Sequence, residues 1–276
     1  MISLVADFLG MIIRFIYELV GNNYFVSILL FAVFTKLLLF PLYLGQIKSM
    51  EEIKKIGPLE QKLKEKYKND KQKYAEELTK IYSEHKINPL GGCLPMLIQI
   101  PIILAMFMIV RQPLTYILNI PQEQIKTYAQ EYLQKEDVSE KEMSANEIIL
   151  AKENDLLDMQ VCKGFNLGDI PSNVFSKDEA KKASPFSLAM PVLTVVFSII
   201  SNKLMQKNNE VTEEQKQMQK SMNLMMPILS ASISYTMPLA LGIYWLVGNI
   251  LQIVQQLVIN KIIKSDEKKL ALKGGK

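Results

Sequence analysis

Cysteine and histidine are scarce, with two of the first and one of the second in 276 residues. Cys93 and Cys162 lie far apart, and the topology argued below puts them on opposite sides of a bilayer. That argues against a disulfide, and no metal-ligand spacing exists. His85 stands in a charged segment and reads as a solvated helix residue. A net charge of +4 is too small for a dedicated nucleic-acid binder. Carboxylates are missing altogether from the longest apolar runs.

What is present is a mosaic of long apolar runs and strongly charged stretches, the pattern of a multi-span membrane protein with soluble loops. Five segments are apolar: 24–44, 92–111, 185–205, 223–237 and 239–261. A span needs about 20 residues, so the fourth is short and depends on its neighbours. Pro238 leaves almost no loop between the fourth and fifth, which predicts a tight helical hairpin. In residues 1–23, Ser3, Asp7, Arg14 and Glu18 share one narrow face of an otherwise apolar helix that ends at Gly21-Asn22-Asn23. This predicts an interfacial amphipathic helix lying along the bilayer. A signal peptide fits less well, because Asp7 precedes any positive charge and no small-x-small cleavage site follows.

Lysine placement sets the orientation. Residues 46–88 hold 11 lysines, 203–222 hold four and Lys261–Lys276 six, whereas 112–184 hold eight against 13 acidic residues. The basic side is the cytoplasm, so the N-terminus is expected outside and the C-terminus inside a bacterial plasma membrane. The expected division is an interfacial helix at 1–23, a first transmembrane helix at 24–45 and a cytoplasmic helical hairpin at 46–88. A second transmembrane helix follows at 89–111, then an extracellular acidic loop at 112–184. Transmembrane helices three to five occupy 185–261, with a short cytoplasmic loop at 203–222, and a basic tail fills 262–276.

Within the hairpin, apolar residues recur at steps of three, four and seven over 47–67 and again over 71–86, with "KND" at 68–70 as the turn. Gly57-Pro58 should kink the first arm. The outer segment reads as helix-prone, mostly solvated charge over 122–158. It shows no catalytic spacing and then runs through "GFNLGDIPSN", a turn-rich stretch expected near the bilayer surface. A structured cap and a variable appendage are both open, and the appendage, with trimming over 125–160 tolerated, is the expectation.

The run "FAVFTKLLLFPL" at 31–42 places Lys36 at membrane depth, where a charge costs several kcal/mol and normally faces protein or water. Gln99 lies in the second span, Ser198, Ser201 and Asn202 in the third, and Asn223, Ser230 and Ser234 in the fourth. Trp245, Asn249, Gln252 and Gln256 form a stripe along the fifth. Helix–helix hydrogen bonding accounts for most of the serines. It does not account for a lysine without a carboxylate, which implies a wet recess lined by amides and hydroxyls. Fifteen methionines, several of them around the fourth span, suit a soft surface for apolar partners.

Residues 69–101, "NDKQKYAEELTKIYSEHKINPLGGCLPMLIQIP", resemble the YidC/Oxa/Alb membrane protein insertases. So do "FTKLLLFPL" at 34–42 and "LGIYWLVGNILQIVQQLVI" at 241–259. The short N-terminus resembles the compact Gram-positive form. The resemblance implies an all-α integral membrane protein with five transmembrane helices around a hydrophilic groove, an N-terminal amphipathic helix and a cytoplasmic hairpin that helps receive substrate. It puts the single groove cation at Lys36, where the family usually has arginine, and aromatic substrate contacts at Tyr244 and Trp245. With the polar residues above, the expected groove is Lys36, Gln99, Ser234, Tyr244, Trp245, Asn249, Gln252 and Gln256. The implied function is a membrane protein insertase and chaperone, not an enzyme, with neither cofactor nor metal. Its partners would be nascent membrane proteins, the Sec translocon, membrane lipids and the ribosome through the basic tail, with no nucleic acid beyond ribosomal RNA. A small-solute transporter using Lys36 as an anion site should show inverted repeats, and none is seen. An intramembrane hydrolase in which Lys36 activates Ser198 lacks any nucleophile motif.

Overall fold

The computed structural model describes residues 2–85, 94–177, 182–206 and 213–274. Cys93 and the end of the expected hairpin, 86–88, lie outside them. Helix α1 (Ile2–Leu19) stops where Gly21 and Asn22 turn left-handed, at φ 68° and 62°, a conformation that glycine and asparagine reach at least cost. Asn23 then caps α2 (Tyr24–Leu38), its Oδ1 accepting from the Val26 amide at 2.9 Å. Two neighbouring residues thus end one helix and start the next.

The first expected span does not end at residue 45. Helix α2 breaks at Leu39 and resumes as α3 (Phe40–Lys55). Pro41 explains the break, since it has no amide to give to the preceding turn. The hairpin's first arm is therefore the continuation of the span. It breaks again at Ile56, where Gly57-Pro58 opens α4 (Gly57–Lys66). Asp70 caps α5 (Lys71–Glu84), its Oδ1 accepting from the Lys73 amide at 3.0 Å. A small cluster of Ile56, Ile81 and Tyr82 joins the arms, beside Tyr74, whose hydroxyl donates to buried Glu60 at 3.2 Å.

The remaining long helices are α6 (Leu94–Arg111), α10 (Ala189–Gln206), α11 (Glu213–Thr236) and α12 (Leu239–Gly274). Among the described residues, Pro185–Leu204 and Leu239–Ile262 are long and apolar enough to cross a membrane, while Tyr24–Leu38 and Ile100–Arg111 are shorter apolar helices. Helix α11 packs along α10, and only Met237 and Pro238 separate it from α12, the tight hairpin expected from Pro238. Helix α12 also lies against α2.

The outer segment departs most from expectation. It folds into α7 (Pro113–Tyr116), α8 (Gln122–Leu133), α9 (Glu140–Glu153), a hairpin of β1 (Gln160–Cys162) with β2 (Phe165–Asn166), and two short 3-10 turns, Pro171–Phe175 and Pro185–Leu188. Ile125, Ala129, Leu150 and Leu167 are buried in the same apolar core as Ile13, Phe31, Met106 and Leu239. Each fully buried leucine or isoleucine there contributes about 1.5–3 kcal/mol. Glu147 is buried too, and its carboxylate accepts from Thr115 N at 3.0 Å and Thr115 Oγ1 at 2.7 Å. Burial raises its pKa. At the start of α9, Ser139 and Glu142 form a capping box. Lys135, followed by Ser139, holds the Glu142 carboxyl down to about 2. The Leu239 and Ala240 amides that open α12 donate to Asp169 O at 2.8 Å and Leu167 O at 3.0 Å. Helix α1 joins the same end, burying Ala6, Leu9 and Ile13 and donating from Arg14 Nη2 to Tyr116 O at 3.2 Å. The segment is a fitted cap, not an appendage.

Candidate functional site

Lys36 belongs to the last turn of α2, twelve residues from its start. At 1.5 Å per residue it lies about 18 Å along the helix. Its stem crosses α12 at Gly248, where an added Cβ would sit 3.5 Å from Lys36 Cε. The glycine leaves the room that the lysine occupies. Two turns further along the same face of α12, Gln255 Nε2 donates to Lys36 O at 3.0 Å. The hydroxyl of Tyr43, just past the break, donates to Gln256 Oε1 at 2.8 Å, and Gln256 Nε2 donates to Asn260 Oδ1 at 2.9 Å. The break at Leu39 is thus tied to α12 by consecutive glutamines. Among the described residues no carboxylate forms an ion pair with Lys36.

A second set of polar groups runs between α10, α11 and α12. Thr194 Oγ1 and Ser234 Oγ share a hydrogen at 2.8 Å. Four residues along, Trp245 Nε1 donates to Ser230 Oγ at 3.0 Å, and Ser230 Oγ donates to Ser198 Oγ at 3.4 Å. Steps of four on α10 and α11 meet because the helices run antiparallel. Next along come Ser201 Oγ, Asn202 Nδ2 and Asn249 Nδ2, which are buried with no hydrogen-bond partner. Such orphans are costly unless water reaches them, as it also must at Tyr24 and Ser187, whose hydroxyls are buried without a partner too.

The residues expected to line a groove therefore separate. Lys36, Trp245, Asn249 and Gln252 are partly exposed. Ser234 is buried in the helix–helix pair with Thr194, and Gln256 is buried in its link to Tyr43. Tyr244 is only 6% exposed, its ring centroid 6.2 Å from that of Phe31. A substrate cannot touch it without repacking that pair. The side chain of Gln99 lies outside the described residues. Ser198 is held by Ser230, and no lysine takes part in that chain of bonds. Three contributors have no sequence signal of their own: Gly248, Gln255 and Tyr43 matter only through the register between α12 and α2–α3.

Known proteins with the same pattern can now be set beside this geometry. The profile of the family described as 60Kd inner membrane protein matches residues 15–268. The membrane protein insertase YidC of Caldanaerobacter subterraneus subsp. tengcongensis is 31% identical over 261 residues, 95% of this chain and 96% of that protein. The YidC of Fusobacterium nucleatum is 31% identical over 259 residues, covering 94% and 96% of the two chains. An active YidC insertase crystal structure superposes with a TM-score of 0.53 at 20% identity, over 91% of this chain and 45% of that one. That likeness speaks for the fold alone. A profile match over most of the chain and two relatives matched almost end to end leave one assignment: this chain belongs to the 60Kd inner membrane protein family, that of the YidC insertases.

Proposed function

We propose that this chain is a membrane protein insertase and chaperone of a bacterial plasma membrane, working without covalent chemistry. Five spanning helices, α2 with the start of α3, α6, α10, α11 and α12, enclose a hydrophilic groove open to the cytoplasm and to lipid. Helix α1 lies in the outer interface with Leu4, Phe8, Met11 and Phe15, all exposed, in the lipid. The observation that carries the reading is the Lys36 stem held over Gly248 with no carboxylate paired to it among the described residues; in this reading its ammonium lies at membrane depth. It offers the polar flank of an incoming chain a charged way-station. The exposed apolar faces of α10 and α12, with Val192 and Val196 on one and Ile250 and Val254 on the other, suit the apolar segment as it leaves sideways. Lys36, Gln99, Trp245, Asn249 and Gln252 are the groove contacts of this reading, with Ser234, Tyr244 and Gln256 shaping its wall. The hairpin of α3–α5 receives the client, the basic tail meets the ribosome and anionic lipid, and the Sec translocon is a partner for larger clients.

The test is reconstitution. Liposomes carrying the purified chain should raise the inserted fraction of a small two-span client above that of empty liposomes. Photocrosslinkers at positions 36 and 245 should capture the client during insertion. An unchanged inserted fraction would sink the proposal.

A further inference from the structure

Two phenylalanines of the cap stand out in solvent, Phe175 at 80% exposure and Phe186 at 69%. They belong to the two 3-10 turns, which pack on each other, and the first turn also rests on α11. Phe186 lies over the β1–β2 turn, its ring 3.0 Å from where Gly164 would carry a Cβ. It is also the second residue of the Pro185–Leu204 apolar stretch, so wherever α10 enters the bilayer, this ring sits at the entry. The exposed side of α10 continues from there through Val192, Val196 and Ile200.

Charge around the pair differs from the rest of the cap. Ten of the 13 acidic residues of 112–184 fall within 122–158. Over 159–184 the carboxylates are Asp169, Asp178 and Glu179 against four lysines, and Asp169 Oδ2 is occupied by the Ser184 amide at 3.0 Å. In the same stretch Lys163 adjoins Gly164 and Lys177 follows Phe175 by two residues, both exposed. Rings at the acyl boundary with lysines reaching for phosphates are how proteins anchor at an interface.

We infer that the cap is anchored in the outer leaflet through Phe175 and Phe186, with Lys163 and Lys177 meeting lipid phosphates, on the side where α10 and α11 emerge. The occupant is lipid and not a protein partner, because the site continues a lipid-length apolar helix and lies in the part of the cap where lysines outnumber carboxylates, four to three over 159–184 against four to ten over 112–158. The anchor would fix how deep α10 sits and hold the cap over the helix ends. The inference rests on the reading that α10 crosses the membrane.

Tryptophan scanning tests both parts separately. In a Trp245→Phe background, single variants Phe175→Trp, Phe186→Trp, Val196→Trp and Glu131→Trp are reconstituted in vesicles of phosphatidylglycerol and phosphatidylcholine. Lipids brominated near the headgroup or deep in the chain report depth, and aqueous iodide reports water. Val196→Trp, quenched by deep bromines, reports that α10 spans, and Glu131→Trp on α8, quenched by iodide, marks the water-facing cap. Expected for positions 175 and 186 is a blue-shifted emission, severalfold stronger quenching by shallow than by deep bromines, and severalfold weaker iodide quenching than at 131. A parallel set retaining Trp245, read as the difference from the parent, serves if the background variant does not fold. Iodide quenching at 175 and 186 equal to that at 131, with Val196→Trp in lipid, would overturn the anchor and leave the spanning reading intact. Shielding from both quenchers only at high protein-to-lipid ratio would also overturn it, showing a second copy of the chain as the cover. Failure of Val196→Trp to meet lipid would overturn the spanning reading itself.

Discussion

At the residue scale, Lys36 is tolerated only if its charge meets water or a client's opposite charge. Two opposite charges about 4 Å apart attract by roughly 4 kcal/mol at an effective dielectric near 20, and by about 1 kcal/mol in bulk water. If about a third of the larger value survives as net bias, acidic-tailed clients gain about tenfold in entry, yet still leave. Lys36→Arg is expected to preserve insertion, since charge and position remain, although a planar guanidinium must fit where a stem now lies over Gly248. Lys36→Ala should impair clients with acidic translocated tails most and neutral ones least, and Lys36→Glu should be worse still for the acidic set. Lys36→Met keeps a stem on Gly248 without charge and should behave as Lys36→Ala does. The inserted fraction of clients matched in all but tail charge, in vesicles carrying each variant, is the measurement. Uniform loss across all clients would make Lys36 a spacer between α2 and α12 and end the electrostatic account.

At the element scale, the hairpin keeps the receiving role the sequence suggests, and the cap gains a structural one. The hairpin's α4 and α5 meet around Ile56, Ile81 and Tyr82, so they can be lost without opening the main core. The cap supplies Ile125, Leu150 and Leu167 to that core and caps the start of α12. Deleting 50–84 should abolish complementation of an insertase-depleted strain while protein still accumulates in the membrane. Deleting 125–160 should lower the accumulated protein itself, as immunoblotting of membranes would report. Normal accumulation and full complementation after the second deletion would show that the cap's packing is dispensable. Local signals explain what was legible: Gly21, Asp70, Gly57-Pro58 and Pro238 each act within a few residues of themselves. A cap was one of two readings open from the sequence and could not be chosen, because its buried face includes Glu147, whose partner Thr115 is 32 residues away. A carboxylate among lysines and glutamates reads as solvated. Lys36 was legible for the opposite reason, a charge alone in an apolar run, whereas the turning inward of Ser234, Tyr244 and Gln256 depends on neighbours in other helices.

At the scale of the whole molecule, pairing between α2–α3 and α12 fixes which parts share a side. Phe31 meets Tyr244, Lys36 meets Gly248 and Gln255, and Tyr43 meets Gln256, so numbers rise together and the helices run parallel. Tyr24–Lys55 extends about 48 Å and Leu239–Gly274 about 54 Å at 1.5 Å per residue. Both exceed a hydrocarbon core of about 30 Å. Helix α12 begins at the cap, where Asp169 O receives the Leu239 amide, and α2 runs parallel to it, so in a membrane both are expected to overshoot at the opposite end, carrying the hairpin and the basic tail. This agrees with the lysine distribution without using it. The positive-inside rule then predicts the absolute orientation, with the cap outside. In a Cys93→Ser background, Cys162, an exposed free thiol, should react with a membrane-impermeant maleimide on intact cells. A cysteine variant at the exposed hairpin position, Lys73→Cys, made with Cys162→Ser, should stay unlabelled until the membrane is opened. Labelling of the hairpin but not the cap on intact cells would invert the molecule, and the groove proposed to open toward the cytoplasm would face the wrong way for a nascent chain.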